Sequence, residues 1–254
     1  MEFDYVIVGG GSAGSVMAAR LSEDPGTTVC LLEAGGDGRG LLVRAPMGVI
    51  AMLPGWGRIN NWAFRTVPQE HLNNRRGYQP RGRALGGSSA INAMLYTRGH
   101  RTDYDDWAAA GATGWSWDDV LPFFLKAEGN KAVAGPLHNG DGPLQVNDQR
   151  SPRPVSRAFI EAAAECQVRR NDDFNGEEQE GAGLYHVTQF GEGPRNGERC
   201  SAAAAYLHPV MDRPNLHVMT GAQAERVLFE GRRAIGVRHR KGEVRARREV
   251  ILSA

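Results

Sequence analysis

The apolar positions of this chain fall into short runs set between glycine-rich breaks. Tyr5-Val6-Ile7-Val8 is a continuous apolar run that ends in glycines, the pattern of a strand buried on both faces of a parallel sheet. A helix is predicted from about Ala13 to Leu21, with Val16, Met17 and Leu21 on one face. Thr28-Val29-Cys30-Leu31-Leu32 reads as a second buried strand and stops at the carboxylate of Glu33. Strand, helix and strand make a compact βαβ unit whose crossover is expected to be right-handed. From Gly35 to about Asn61 the period is lost among Gly and Pro, so a long irregular excursion is predicted, of the kind that covers or carries a site.

Further along, a helix is predicted over Asn92–Thr97, opened by the turn Gly86-Gly87-Ser88-Ser89. Ser116-Trp117-Asp118-Asp119 has the form of a helix start with Ser116 as N-cap, continuing through Val120, Phe124 and Leu125. Another helix is predicted from Pro154 to Cys166, with Val155, Phe159 and Ala163 on one stripe. After Gly181 the pattern turns to strand at Tyr185 and Val187, then to a helix around Ser201–Tyr206. Four strands follow, at Leu216–Val218, Arg226–Phe229, Ile235–His239 and Arg247–Leu252, with turns at Gly231 and Lys241-Gly242. This late return to strands predicts a discontinuous first domain. The expected divisions are 1–150, 151–198 and a return to the first domain over 199–254.

Composition narrows the function classes. Thirty basic residues face 29 acidic ones, for a net charge of +1, whereas a nucleic-acid binder carries a basic excess on one face. The seven arginines between Arg232 and Arg248 alternate with Ile235, Val237 and Val244 and read as the solvated face of a hairpin. The three cysteines are scattered and none forms a Cys-x-x-Cys pair, which argues against a disulfide framework. The histidines show no metal-ligand spacing. Met1–Asp4 lead straight into the first strand and no run approaches a membrane span. The expected setting is the cytoplasm, with peripheral contact at the inner membrane as an alternative. Glycine is abundant, at 33 of 254 residues, about twice the usual ~7%. Such clusters suit a backbone that approaches a ligand closely.

Gly9-x-Gly11-x-x-Gly14 follows a strand and opens a helix, the context a dinucleotide fingerprint requires. Gly9 permits the tight turn, Gly11 lets the backbone approach a pyrophosphate, and Gly14 lets helix and strand pack closely. The helix N-terminus offers N–H groups and a positive dipole end to phosphates. Glu33, at the end of the second strand, is placed to accept hydrogen bonds from an adenosine ribose. These residues fit FAD and NAD equally.

A second motif runs Gly82-Arg83-Ala84-Leu85-Gly86-Gly87-Ser88-Ser89-Ala90-Ile91-Asn92-Ala93-Met94-Leu95-Tyr96-Thr97-Arg98-Gly99. Its glycine turn and two hydroxyls are expected to present donors to phosphate or flavin oxygens. The segment resembles the first signature of the glucose–methanol–choline (GMC) oxidoreductases, which are FAD-dependent. The resemblance continues through His100, Asp103-Tyr104-Asp105 and Trp107, and returns at Arg199-Cys200-Ser201-Ala202-Ala203 and Ala205-Tyr206-Leu207.

That resemblance implies an α/β fold: a doubly wound, Rossmann-like FAD-binding domain with part of an antiparallel substrate-domain sheet. It implies that Gly11, Ser12, Ala13, Glu33 and Ala34 hold the ADP end. Gly87 and the segment Asn92-Ala93-Met94-Leu95 touch the flavin end, Arg83 and Gly86 are expected among the cofactor-binding residues, and Trp62 is the aromatic near the cofactor. Ala224 matches a place that packs on adenine, with ordinary strand packing as an equal reading. Some relatives attach FAD through a histidine just before the motif's Asn. Ile91 stands there, so dissociable FAD is expected.

The implied activity is oxidation of a primary alcohol, choline-like or other, by hydride transfer to flavin N5, with an electron acceptor other than oxygen. A lyase or decarboxylase on the same fold, and a non-catalytic FAD-binding module, are the alternatives. In the family the proton-handling histidine lies well beyond position 254, so no catalytic residue is assigned within the chain. The chain is expected to be an N-terminal portion that retains FAD weakly or not at all by itself and catalyses poorly.

Other polar residues have plainer expectations. Asp103, Asp105 and Asp106 are expected to serve a helix start, and His100 to lie at the surface or on a phosphate side. His186 is expected as a half-exposed strand residue, with orientation toward a substrate cavity as the alternative. Cys30 is expected in the core. Cys200 precedes a helix start, where a thiol pKa can fall.

Overall fold

A computed structural model describes residues 1–254, the side chain of Trp56 excepted. The chain divides into two compact units, residues 1–93 with 201–254, and residues 94–200.

In the first unit the chain runs through β1 (Glu2–Val8), α1 (Ser12–Leu21) and β2 (Val29–Leu32), then the one-turn helices α2 (Leu41–Arg44) and α3 (Val49–Met52) and the two-residue strands β3 (Phe64–Arg65) and β4 (Tyr78–Gln79). The second unit holds α4 (Arg101–Ala109), α5 (Trp117–Ala127), β5 (Glu128–Asn130), β6 (Leu144–Val146) and α6 (Pro154–Glu165). The chain then returns to the first unit with a π-helical turn over Ala203–Leu207, followed by β7 (Leu216–Met219), β8 (Ala224–Glu230), β9 (Arg233–His239) and β10 (Gly242–Leu252).

The main sheet has the order β7-β2-β1-β10-β9-β8. Its first four strands are parallel, and β9 and β8 add an antiparallel meander. The continuous apolar runs are buried on both faces, and side-chain alternation sorts them. Val6, Val8, Cys30 and Leu32 share one core cluster with Val237, Val244 and Ala246. Ile7, Val29 and Leu31 face Ala18 of α1, Leu85, Ala203 and Leu207. β10 joins the two halves: Gly242–Arg245 pair antiparallel with β9, and its remaining length runs parallel beside β1. At the far end of β1, Asp4 accepts from the Thr28 N–H at 2.8 Å and from Arg247 Nε at 3.2 Å.

In the second unit Ser116 caps α5 in a reciprocal box with Asp119, and His100 caps α4 with Asp103. Asp105 accepts from the Trp117 N–H at 3.0 Å. Tyr104 sits between these helices, 5.7 Å from the Trp117 ring and 5.8 Å from that of Phe124.

Several expectations change. The helix expected over Asn92–Thr97 is absent. A short 3-10 turn covers Gly87–Ala90 and the chain then extends. Met94 adopts φ 65°, its carbonyl accepts from Thr188 N at 2.8 Å, and Tyr96 N donates to His186 O at 2.9 Å. Pairing with the 186–188 segment thus replaces intrahelical bonds. That pairing also buries His186, which is 5% exposed instead of half-exposed. Residues 94–150, expected with the first domain, pack into the second unit, where Tyr104 of α4 packs on Trp117 and Phe124 of α5 and β5 pairs with β6 outside the main sheet.

Candidate dinucleotide site

The turn after β1 is held by Gly9 N donating to Leu32 O at 2.8 Å, with Gly9 at φ 96°. α1 starts at once, and its first i→i−4 bond is Ser15 N to Gly11 O at 3.0 Å. The N–H groups of Ser12, Ala13 and Gly14 therefore have no acceptor within the helix, and the positive end of its dipole lies there.

The three glycines have different reasons. A Cβ on Gly14 would stand 1.9 Å from Gly9 O, so this position is closed by backbone. A Cβ on Gly11 would meet nothing nearer than 3.9 Å. Its bare backbone opens onto free space, where a ligand can approach.

The second motif packs directly on the first. Gly86 N donates to Gly10 O at 2.7 Å, and a Cβ on Gly87, at φ 54°, would come within 2.7 Å of Gly11 Cα. Leu85 N donates to Gly36 O at 2.9 Å, which draws the motif along the segment that leaves β2. Glu33 joins the same corner. Its Oε2 accepts from Gly10 N at 2.9 Å and its Oε1 from Gly35 N at 2.6 Å. Each carboxylate oxygen keeps a lone pair for a further donor.

A cavity of about 590 Å³ lies along this junction. Gly9, Gly11, Ser12, Glu33, Ala34, Trp62, Gly87 and Ala224 line it. Phe64, Arg81 and Gln223, which carry no expectation from the sequence, line it too, as do Gly82 and Ser88 of the second motif. Arg81, Gly82 and Ser88 stand within or beside the second motif. Phe64 had an available signal in its spacing from Trp62, and the two rings stack at 5.6 Å. Arg83 does not line the cavity; its guanidinium lies 4.6 Å over the Trp62 ring. Ala13 is exposed on the first turn of α1, Gly14 is buried beneath it, and Gly86 makes the joining bond. Asn92 and Ala93 are exposed beyond the 3-10 turn, while Met94 and Leu95 belong to the second unit.

Two chemical expectations are corrected. Ser89 does not offer its hydroxyl outward: it donates to Gly86 O at 2.5 Å and accepts from Ala202 N at 2.9 Å. Cys200 is buried, which pushes its thiol up to about 11 instead of down. Cys30 is core, its thiol raised to about 12 by burial. Among the described residues no cluster of His, Cys, Asp or Glu could hold a metal, and no helix is long and apolar enough to cross a membrane.

The dinucleotide corner also fits known proteins. The family model described as GMC oxidoreductase matches residues 3–254. An alcohol dehydrogenase [acceptor] of Pseudomonas putida is 47% identical over 99% of this chain and 46% of its own length. An oxygen-dependent choline dehydrogenase of Ectopseudomonas mendocina is 44% identical over 100% of this chain and 46% of its own. The chain thus spans about half the length of the curated relatives it matches. Among solved structures, pyridoxine 4-oxidase from Mesorbium loti superposes with a TM-score of 0.89 at 36% identity, covering 98% of this chain and 49% of that one. An FAD-dependent oxidoreductase from Chaetomium thermophilum gives 0.89 at 30% identity, over 99% of this chain and 45% of that one.

Proposed function

The chain belongs to the GMC oxidoreductases, and on that footing we propose that its first unit holds FAD along the junction of the two glycine turns, as the cofactor-binding part of an enzyme that oxidises a small alcohol. The observation that carries this reading is the 2.7 Å bond from Gly86 N to Gly10 O, which joins two motifs far apart in sequence into the wall of one cavity.

The residues present fit the cofactor. Gly11, Ser12 and Ala13 would hold the pyrophosphate with first-turn N–H groups, where a bare Gly11 leaves the approach open. Glu33 would accept from the adenosine ribose, already oriented by Gly10 and Gly35. Ala34 and Ala224 would border the adenine. Gly87 and Trp62 would border the flavin side. Arg83 acts on that side through the Trp62 ring it covers, and Gly86 by fixing the turn. Asn92, Ala93, Met94 and Leu95, which follow the second turn in sequence, are assigned to the flavin end by their match to the family signature. FAD, when bound, supplies the hydride-accepting chemistry. No side chain of residues 1–254 is assigned the substrate proton.

The substrate class rests on the names of the relatives, an alcohol dehydrogenase and choline dehydrogenases. An acceptor other than oxygen is proposed; the first of those names says only [acceptor], whereas the choline enzymes are named oxygen-dependent. Binding is proposed as non-covalent, since Ile91 is a buried alkyl side chain packed with Val43, Met52 and Ala90.

Two experiments test the reading. Acid precipitation of the FAD-loaded protein is expected to release all flavin to the supernatant; flavin left in the pellet would refute non-covalent binding. Anaerobic addition of a primary alcohol to the full-length enzyme is expected to bleach the flavin. Product formation with the flavin unbleached throughout would favour a lyase.

A further inference from the structure

The second unit contains a buried cluster of four charged side chains. Glu128, fully buried on β5, receives four donors. Its Oε1 accepts from His138 Nδ1 at 3.1 Å and Asn130 Nδ2 at 3.0 Å; its Oε2 accepts from Arg98 Nη2 at 2.9 Å and Asn139 N at 3.1 Å. The other ring nitrogen of His138, Nε2, lies 2.9 Å from Asp173 Oδ2. Exposure of these side chains is 1% for Arg98, 0% for Glu128, 3% for His138 and 24% for Asp173.

The geometry favours one protonation state. Both ring nitrogens of His138 meet carboxylate oxygens, which only accept. A neutral imidazole has one N–H and would leave one nitrogen lone pair against a carboxylate. Asn130 Nδ2 also lies 3.3 Å from Nδ1. Its orientation is fixed, because its Oδ1 accepts from Ala132 N and Val133 N at 2.9 and 3.1 Å. Asn130 and the imidazolium are then two donors converging on the same Glu128 oxygen. Charge agrees: with His138 protonated the cluster of Arg98, His138, Glu128 and Asp173 is neutral, and without that proton it carries an unbalanced buried negative charge.

These bonds tie separate segments around a second cavity, of about 390 Å³, bordered by Arg98, Leu137, Phe174, Asn175 and Glu177. Arg98 Nη1 donates to Leu137 O at 2.8 Å, and Arg98 N donates to Asn175 Oδ1 at 2.7 Å. Between the 137–139 turn and Asp173, the bond from His138 carries the link. We propose that His138 is a proton-held clasp: as imidazolium it bonds Glu128 and Asp173 at once and fastens the 137–139 turn to the 171–175 loop, and loss of that proton leaves one N–H for two carboxylates, so one bond is lost and the two segments loosen beside the cavity they border.

The bond to Glu128 raises the His138 pKa, burial opposes it, and the bond to Asp173 raises it further, for a net upward direction. On Glu128 burial pushes upward, but the bonds from His138 and Asn130 and the charge of Arg98 outweigh it and hold the carboxyl below its usual range. For a base raised on folding, the stabilisation is complete below the unfolded value of ~6.5 and is lost as pH rises through the folded one.

The test follows the 254-residue chain from pH 6 to 10. Ring NMR of His138 is expected to give a midpoint above ~6.5. Hydrogen exchange, corrected for its intrinsic pH dependence, is expected to rise about tenfold in 137–139 and 173–175 across that midpoint, while the β1 and β2 amides stay unchanged. Asp173→Asn, which keeps shape and removes one charge, is expected to lower the midpoint and move the exchange transition with it. A midpoint at or below ~6.5, or exchange in the two segments that does not follow the ring titration, would overturn the proposal.

Discussion

Gly11→Ala separates holding a ligand from holding the fold. At position 11 an added methyl finds protein no closer than 3.9 Å, an ordinary contact. Its cost to the fold is confined to the helix N-cap, where Gly is preferred to Ala by about 1 kcal/mol or less. The same methyl stands where a phosphate oxygen would come within ~2.7–3.2 Å of the first-turn N–H groups. It needs about 3.5–4.0 Å of its own, so at least one charge-assisted bond must lengthen beyond use. Losing one such bond costs about 1.5–3 kcal/mol, or roughly 10- to 150-fold in FAD affinity. Gly14→Ala is the control of opposite kind. Its methyl would sit 1.9 Å from the Gly9 carbonyl oxygen, a backbone clash that no rotamer relieves, expected to destabilise by about 1–3 kcal/mol or more. The assay is urea unfolding by tryptophan fluorescence, with FAD titration by flavin-fluorescence quenching. If Gly11→Ala bound FAD as tightly as wild type, the assignment of the first turn to the pyrophosphate would be wrong.

Further expectations concern the frame. Glu33→Gln turns one carboxylate oxygen into a donor against the Gly10 or Gly35 N–H and should cost about 1–3 kcal/mol; an unchanged urea midpoint would show that this corner does not depend on the carboxylate. Asp4 is held well below the usual carboxylate range by the Arg247 side chain first and by the Thr28 N–H and hydroxyl next. Its contribution is present above about pH 4 and is lost as pH falls below it. The gap in urea midpoint between wild type and Asp4→Asn should hold steady from pH 5 to 8 and narrow below pH 4, and a gap unchanged down to pH 3 would refute this. Of the three thiols only Cys166 is exposed, so an aromatic disulfide reagent at pH 8 should label one thiol quickly and three after denaturation. Rapid labelling of Cys200 in the folded chain would contradict its burial.

Where local chemistry decides structure, the sequence was enough. The runs at residues 5–8 and 28–32 form the central strands because they are apolar on both faces. Ser116 and Asp119 announce their cap by spacing alone. The failures are all tertiary. Nothing local to Asn92–Thr97 forbids a helix; the segment extends because Met94 and Tyr96 find partners at His186 and Thr188. Burial of His186 and Cys200 follows from the same distant pairing. The cavity was legible in its glycines and in Glu33. Phe64 and Gln223 were missed because each is brought there by a neighbour, the Trp62 ring for one and the start of β8 for the other.

The most direct test is an amide NMR titration of the isotopically labelled chain with FAD, which reads Gly11–Ala13 and Gly87–Ser88 in one experiment. Both sets should shift together with a single dissociation constant, and ADP should move the first set far more than the second. If FAD moved only the first set and left Gly87 and Ser88 in place, the two turns would not share one flavin groove.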